Sequence, residues 1–125
     1  LLLGGYSAAV AESVVNQLRS QSFLDDATFA QNWASVRSAR GYGPQRIERE
    51  LEVKGIPRPA IREAVGKLFN QADEEQKAKS LLEKKFKVHR LGDPKVLRRA
   101  AAFLQRRGFT AQVVHRLLQN AVQED

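Results

Sequence analysis

The residues of this sequence whose types could do chemistry are an adjacent carboxylate pair, Asp25 and Asp26, two histidines, His89 and His115, and the glycine-rich stretch Gly41-Tyr42-Gly43-Pro44. Paired carboxylates suit acid–base or metal work when a third group stands close, but no histidine or further ligand lies near Asp25 and Asp26 in the chain. Such residues also suit a helix start, where they cap free amides and meet the positive end of the helix dipole. The histidines have no cysteine or carboxylate companions at metal-ligand spacing, so surface or boundary positions suit them. The glycine stretch follows no strand pattern and lacks the lysine and hydroxyl residue of a phosphate loop, which makes it a helix-to-helix turn. With no cysteine, disulfides, thiolate nucleophiles and zinc–cysteine sites are excluded. The expectation is a protein with no catalytic residue, cofactor or metal.

Charge carries more information. Lys and Arg number 21 against 14 Asp and Glu, a net +7. The excess is uneven: residues 1–36 hold one base and three acids, residues 37–68 eight and four, residues 69–125 twelve and seven. A basic body with an acidic start points to a polyanionic neighbour, nucleic acid first among them. The candidate surface comprises Arg46, Arg49, Lys54, Arg58, Arg62, Lys84, Lys85, Lys87, Arg90, Lys95, Arg98, Arg99, Arg106 and Arg107. Salt bridges to Glu48, Glu50 and Glu83 on a solvated helix face are the plain alternative for any one of them.

The elements that must position these residues are helices arranged as a repeat. Gly5-Tyr6-Ser7, Gly55-Ile56-Pro57 and Gly108-Phe109-Thr110 recur at intervals of 50 and 53 residues. Behind them the apolar offsets coincide: Val10, Ala11, Val14, Val15 and Leu18; Ala60, Ile61, Ala64, Val65 and Leu68; Val113, Val114, Leu117, Leu118 and Ala121. Each series marks one face of an amphipathic helix expected to be buried. The glycine ends one helix in the left-handed conformation, and Ser7, Pro57 or Thr110 opens the next. A leucine stands four residues before each glycine, at Leu1, Leu51 and Leu104. Preceding helices are predicted over Pro44–Lys54 and Pro94–Arg107, opened by Gly43 and Asp93, and first helices over Asp26–Ala39 and Glu74–Phe86. Phe29, Trp33 and Val36 are assigned to the core face of the former.

The fold class is all-α, with tandem three-helix repeats in an elongated, curved right- or left-handed array. Residues 1–22 are the end of a truncated first repeat, 23–70 the second and 71–125 the third. Arg46 and Arg99, and Lys54 and Arg107, hold equivalent places in the two complete repeats, and in a solenoid such residues fall along one surface.

Phe23-Leu24-Asp25-Asp26 with Phe29-Ala30, then Arg40-Gly41-Tyr42-Gly43-Pro44, Arg46-Ile47, Glu50-Leu51, Lys54-Gly55-Ile56 and Leu104-Gln105-Arg106-Arg107-Gly108-Phe109 together resemble the RecX family, regulators of the RecA recombinase. The resemblance covers nearly the whole chain and departs from the family by omission of the front of the first repeat. It implies a non-enzymatic inhibitor that lodges in the groove of the RecA–DNA filament and limits filament extension, ATP hydrolysis and strand exchange, in DNA repair, recombination and the SOS response. No stretch is long and apolar enough to span a membrane, and a cytoplasmic home is the default. The basic residues predict weak binding to single- and double-stranded DNA without sequence preference, by a chain expected to be a monomer. The alternative is a helix-turn-helix-like DNA-binding protein with no recombinase partner. Against it, such motifs place a small residue where Leu51 and Leu104 stand, and Pro57-Arg58-Pro59 and Thr110-Ala111-Gln112 offer few base-reading side chains.

Overall fold

A computed structural model describes residues 8–86 and 92–123 as six helices with no strand among them. They are α1 (Ala8–Ala39), α2 (Pro44–Val53), α3 (Arg58–Leu68), α4 (Gln71–Lys85), α5 (Pro94–Arg107) and α6 (Ala111–Gln123). Gly5 and its turn, with Lys87, His89 and Arg90, lie outside the described residues.

Three corners are built alike. Gly41, Gly55 and Gly108 take φ of +91°, +81° and +95°, values that cost a residue with a Cβ roughly 1–2 kcal/mol. In each, the amide after the glycine bonds back five residues: Tyr42 to Arg37 (3.1 Å), Ile56 to Leu51 (3.1 Å) and Phe109 to Leu104 (3.1 Å). This Schellman pattern returns the chain sharply into the next helix. Proline at the first or second position opens α2, α3 and α5, while Asn70 and Asp93 cap α4 and α5 through their side chains. Thr110 stands before α6, its Oγ1 accepting from the Val113 amide at 3.4 Å.

These corners fold two three-helix units, each around its own core. In the first, Ile47, Leu51, Ile61 and Val65 pack with Ala30, Ala34 and Ala64. In the second, Phe103, Leu104, Phe109, Val113, Val114, Leu117 and Leu118 pack with Ala78, Leu82 and Ala100. Ile47, Leu51, Ala60, Ile61, Ala64 and Val65 all have buried counterparts 53 residues on. The repeat is therefore one of packing as well as of sequence. The molecule exposes 8641 Å², against roughly 6,700 Å² for a compact protein of its 14.0 kDa mass. Separate cores set in tandem and the largely exposed front of α1, residues 8–25, both add to that surface.

The structure corrects the helix reading at the front of the chain. Instead of a helix ending near Leu18 and another capped by Asp25 or Asp26, α1 runs unbroken for 32 residues. No glycine or proline occurs between Gly5 and Gly41, so nothing interrupts the hydrogen-bond ladder. The place between residues 22 and 23, where the repeat boundary was expected, lies inside this helix. The series beginning at Val10 is not a buried face: Val14, Val15 and Leu18 stand exposed, and within α1 only Ala30 and Ala34 are buried. Phe29 and Val36 are likewise exposed, at 42% and 51%. Ala30 and Ala34 instead share the core with Ala64 of α3, and such small residues let α1 and α3 approach closely. Further on, α4 starts at Gln71 rather than Glu74, because Asn70 Oδ1 takes the Asp73 amide at 2.8 Å.

Candidate functional site: a joint and a basic surface

The two units meet where the first turn of α2 abuts the last turn of α5. The Gly43 amide donates to the Arg107 carbonyl (2.7 Å) and the Gln45 amide to the Gly108 carbonyl (2.9 Å). Free amides at one helix start thereby satisfy free carbonyls at another helix end, and the opposed dipole ends attract. The fit leaves no room: a Cβ on Gly108 would overlap Arg46, and one on Gly43 would come within 2.7 Å of the Gly108 backbone.

Side chains close over this backbone contact. Arg46 Nη1 donates to the Arg106 carbonyl (3.3 Å), and Arg107 Nη1 to the Arg40 carbonyl (3.2 Å). The Tyr42 ring lies among three guanidinium groups, at 4.0 Å from Arg37, 4.5 Å from Arg46 and 4.8 Å from Arg107. Glu50 is the carboxylate that balances them. It accepts from Arg37 Nε (3.0 Å) and Nη2 (2.8 Å), from Arg46 Nε (3.3 Å) and from the Trp33 indole (3.0 Å). Nearby, Lys77 Nζ donates to Ser38 Oγ at 2.9 Å and lies 4.4 Å from the Phe69 ring, tying α4 to the first unit.

Burial pushes the Glu50 carboxyl up, but the hydrogen bonds from Arg37, Trp33 and Arg46 outweigh it and leave the group below the ordinary carboxylate value. The same contact, led by the Glu50 hydrogen bond, raises Arg37. A depressed carboxyl stabilises the fold at neutral pH, and that contribution disappears as pH falls below the ordinary 4.5 and through the folded value. Trp33, the single tryptophan, reports on it directly. Acid titration is expected to change Trp33 fluorescence below about pH 4.5, with the step absent in Glu50→Gln. An identical acid step in that variant would detach the transition from Glu50.

Of the residues expected on a binding surface, the joint engages Arg46 and Arg107, both half-buried. Their repeat counterparts Arg99 and Lys54 are exposed, so the four do not form one open stripe. Lys54 lies 4.3 Å from the Trp33 ring, which stacks on Phe29 at 6.1 Å. Arg58 pairs with Glu52, and Lys85 lies 4.4 Å from the Phe103 ring. Arg49, Arg62, Lys84, Lys95, Arg98, Arg99 and Arg106 are exposed. Helices α5 and α6 together carry Lys95, Arg98, Arg99, Arg106, Arg107 and Arg116 and not one carboxylate over residues 94–123. Sequence reasoning did not single out Arg37, Tyr42, Glu50 or Lys77 as a set, since contacts across the joint follow no period along the chain.

Family models described as the second and third three-helix domains of RecX match residues 25–65 and 73–118, the two units seen in the fold. The chain belongs to the RecX family. Among similar proteins, the regulatory protein RecX of Cronobacter sakazakii is 43% identical over 75 residues, 60% of this chain and 44% of that protein. Those of Pseudomonas putida and Halorhodospira halophila are 30% and 31% identical, over 91% and 97% of this chain and 72% and 74% of theirs. The chain thus spans from under half to about three quarters of these relatives. RecX is a family of regulatory proteins rather than enzymes, and tandem all-helical units are its architecture. Among the described residues no helix is long and apolar enough to cross a membrane.

Proposed function

We propose that this chain modulates the RecA recombinase, mainly as an inhibitor, by lying along the RecA–DNA filament and limiting its extension, ATP hydrolysis and strand exchange. Membership of a family named for regulation supports this reading, and one observation carries it: thirty consecutive residues of the second unit, 94–123, hold six bases and no acid. Such a face suits a polyanionic assembly, where phosphate contacts position a protein without reading sequence. Two units joined end to end offer a long contact surface, which suits a filament better than a small molecule. Inhibition by occupancy needs no bond made or broken. Action as a monomer in the cytoplasm, within DNA repair and the SOS response, belongs to the same proposal.

The test is ATP hydrolysis and strand exchange by preformed RecA filaments with and without the chain. Inhibition of both is expected. Weak binding to single-stranded DNA should lose affinity steeply with salt, at about 0.7 in log affinity per log salt for each phosphate neutralised. Charge reversal at Lys95, Arg99 and Arg106, all exposed, should raise the half-inhibitory concentration by on the order of tenfold, about 1.4 kcal/mol. Arg46 and Arg107 are left intact because their reversal would open the joint. Undiminished filament activity alongside salt-dependent DNA binding would favour the helix-turn-helix alternative instead.

A further inference from the structure

A cleft of about 550 Å³ runs between α5 and α6, floored by Leu97, Ala101, Val114 and Leu118. The same place in the first unit is finished differently. There Glu48 and Glu52 on α2 stand where the second unit has Ala101 and Gln105, and Arg58 and Arg62 on α3 where it has Ala111 and His115. Arg58 and Glu52 form an ion pair that spans the two helices and crowns the groove with charge. One fold position thus carries an ion pair of charged side chains in one copy and an open, apolar cleft in the other. Core packing does not demand the difference, because the buried residues beneath, Ile61 and Val65 against Val114 and Leu118, correspond one to one.

We infer that the α5–α6 cleft is a docking groove for an acidic amphipathic segment of a partner protein. Apolar side chains of that segment enter the cleft and its carboxylates meet Arg98, which lines the cleft, and the other bases of α5 and α6. Charge complementarity fixes the occupant, because no carboxylate on either helix opposes an acidic visitor; Arg116 pairs with Glu75 of α4, while Arg98 lines the cleft itself. The groove between two helices is the usual seat for the apolar face of a third. Nucleic acid fits worse, since the lining has no Phe, Tyr or Trp to stack on a base and an apolar floor would strip water from phosphate. The inference shares the basic helices α5 and α6 with the recombinase reading and adds the apolar cleft between them, which phosphate contact does not use; its test reads peptide and oligonucleotide binding separately from filament activity.

The test uses the full chain and three fluorescent probes: a helical peptide of leucine at every third or fourth position with glutamate between, the same peptide with serine for leucine, and oligothymidine. The leucine–glutamate peptide is expected to bind with Kd on the order of 10 μM and the serine peptide at least tenfold more weakly, roughly 1.4 kcal/mol. Ala101→Glu, Gln105→Glu, Ala111→Arg and His115→Arg together copy the charged groove of the first unit without changing net charge at neutral pH. That variant should lose at least tenfold in affinity for the leucine peptide and keep oligothymidine binding within about twofold. A single exposed change, Ala111→Glu, adds a carboxylate in the first turn of α6, where it favours the helix, and should weaken the peptide about fivefold. No measurable binding of the leucine peptide, equal binding of both peptides, or full binding by the variants would overturn the inference. Loss of oligothymidine together with the peptide would assign the cleft to nucleic acid and overturn it equally.

Discussion

Gly108→Ala is expected to part the two units, whereas Gly55→Ala, at the matching corner of the first unit, should leave them joined. Both glycines have positive φ, so both substitutions carry a conformational cost of about 1–2 kcal/mol. Around Gly55 there is nothing within 4 Å, and the cost stops there. At Gly108 the added methyl would overlap Arg46, and overpacking against a fixed helix adds about 1–3 kcal/mol. A total of roughly 2–5 kcal/mol, by those two principles, matches what two backbone bonds and the half-buried Arg46 and Arg107 contacts supply at about 0.5–1.5 kcal/mol each. Release of α5 from α2 is the expected response. Hydrogen exchange at the Gly43 and Gln45 amides should accelerate by orders of magnitude in Gly108→Ala and stay slow in Gly55→Ala. Gly43→Ala separates steric from conformational cost, since its φ of −90° suits alanine while its Cβ would meet the Gly108 backbone. Equal exchange rates in all three variants would deny the joint any part in holding the units together.

Glu74→Ala is the second large effect. This carboxylate is 6% exposed and accepts from the Thr110 amide at 2.7 Å and the Thr110 hydroxyl at 2.9 Å. It therefore holds the start of α6 against α4 with a charge set at the positive end of a helix. Truncation leaves the Thr110 donors without that acceptor in a half-buried place and removes two charge-assisted hydrogen bonds, a loss of about 3 kcal/mol. Glu74→Gln retains one oxygen as acceptor and should lose only about 1 kcal/mol. Urea unfolding of the full chain, followed by helical circular dichroism, measures both. A Glu74→Ala midpoint unchanged from the parent would remove the residue from the framework of the second unit.

The parts of this fold that could be read from residues alone are those written in backbone geometry. A glycine followed by Ile56 or Phe109, with Leu51 or Leu104 four places earlier, specifies a left-handed corner and the side chain that fills it, buried at Phe109 and partly buried at Ile56. Both corners stand where the spacing puts them. Less legible was the face of α1, since Phe29 and Val36 are large and apolar yet exposed, while Ala30 and Ala34 form the contact. Side-chain size misleads where helices approach closely through small residues. The continuity of α1 was also hidden, because Asp25 and Asp26 look like caps and only the lack of a preceding breaker decides otherwise. In the candidate site, Lys95, Arg99 and Arg106 are exposed, as charged residues on helix faces commonly are. Arg46 and Arg107 look equivalent to Arg99 and Lys54 in the sequence, but only they lie where the units touch.

The meeting of α2 with α5 also sets how the molecule responds to load. Among the described residues its two halves keep separate buried cores, and the hydrogen bonds across the contact are ones that water can replace at modest loss. Bending there leaves both interiors undisturbed, in the manner of a clasp rather than a weld. A body made this way yields at the clasp before either half loses its shape.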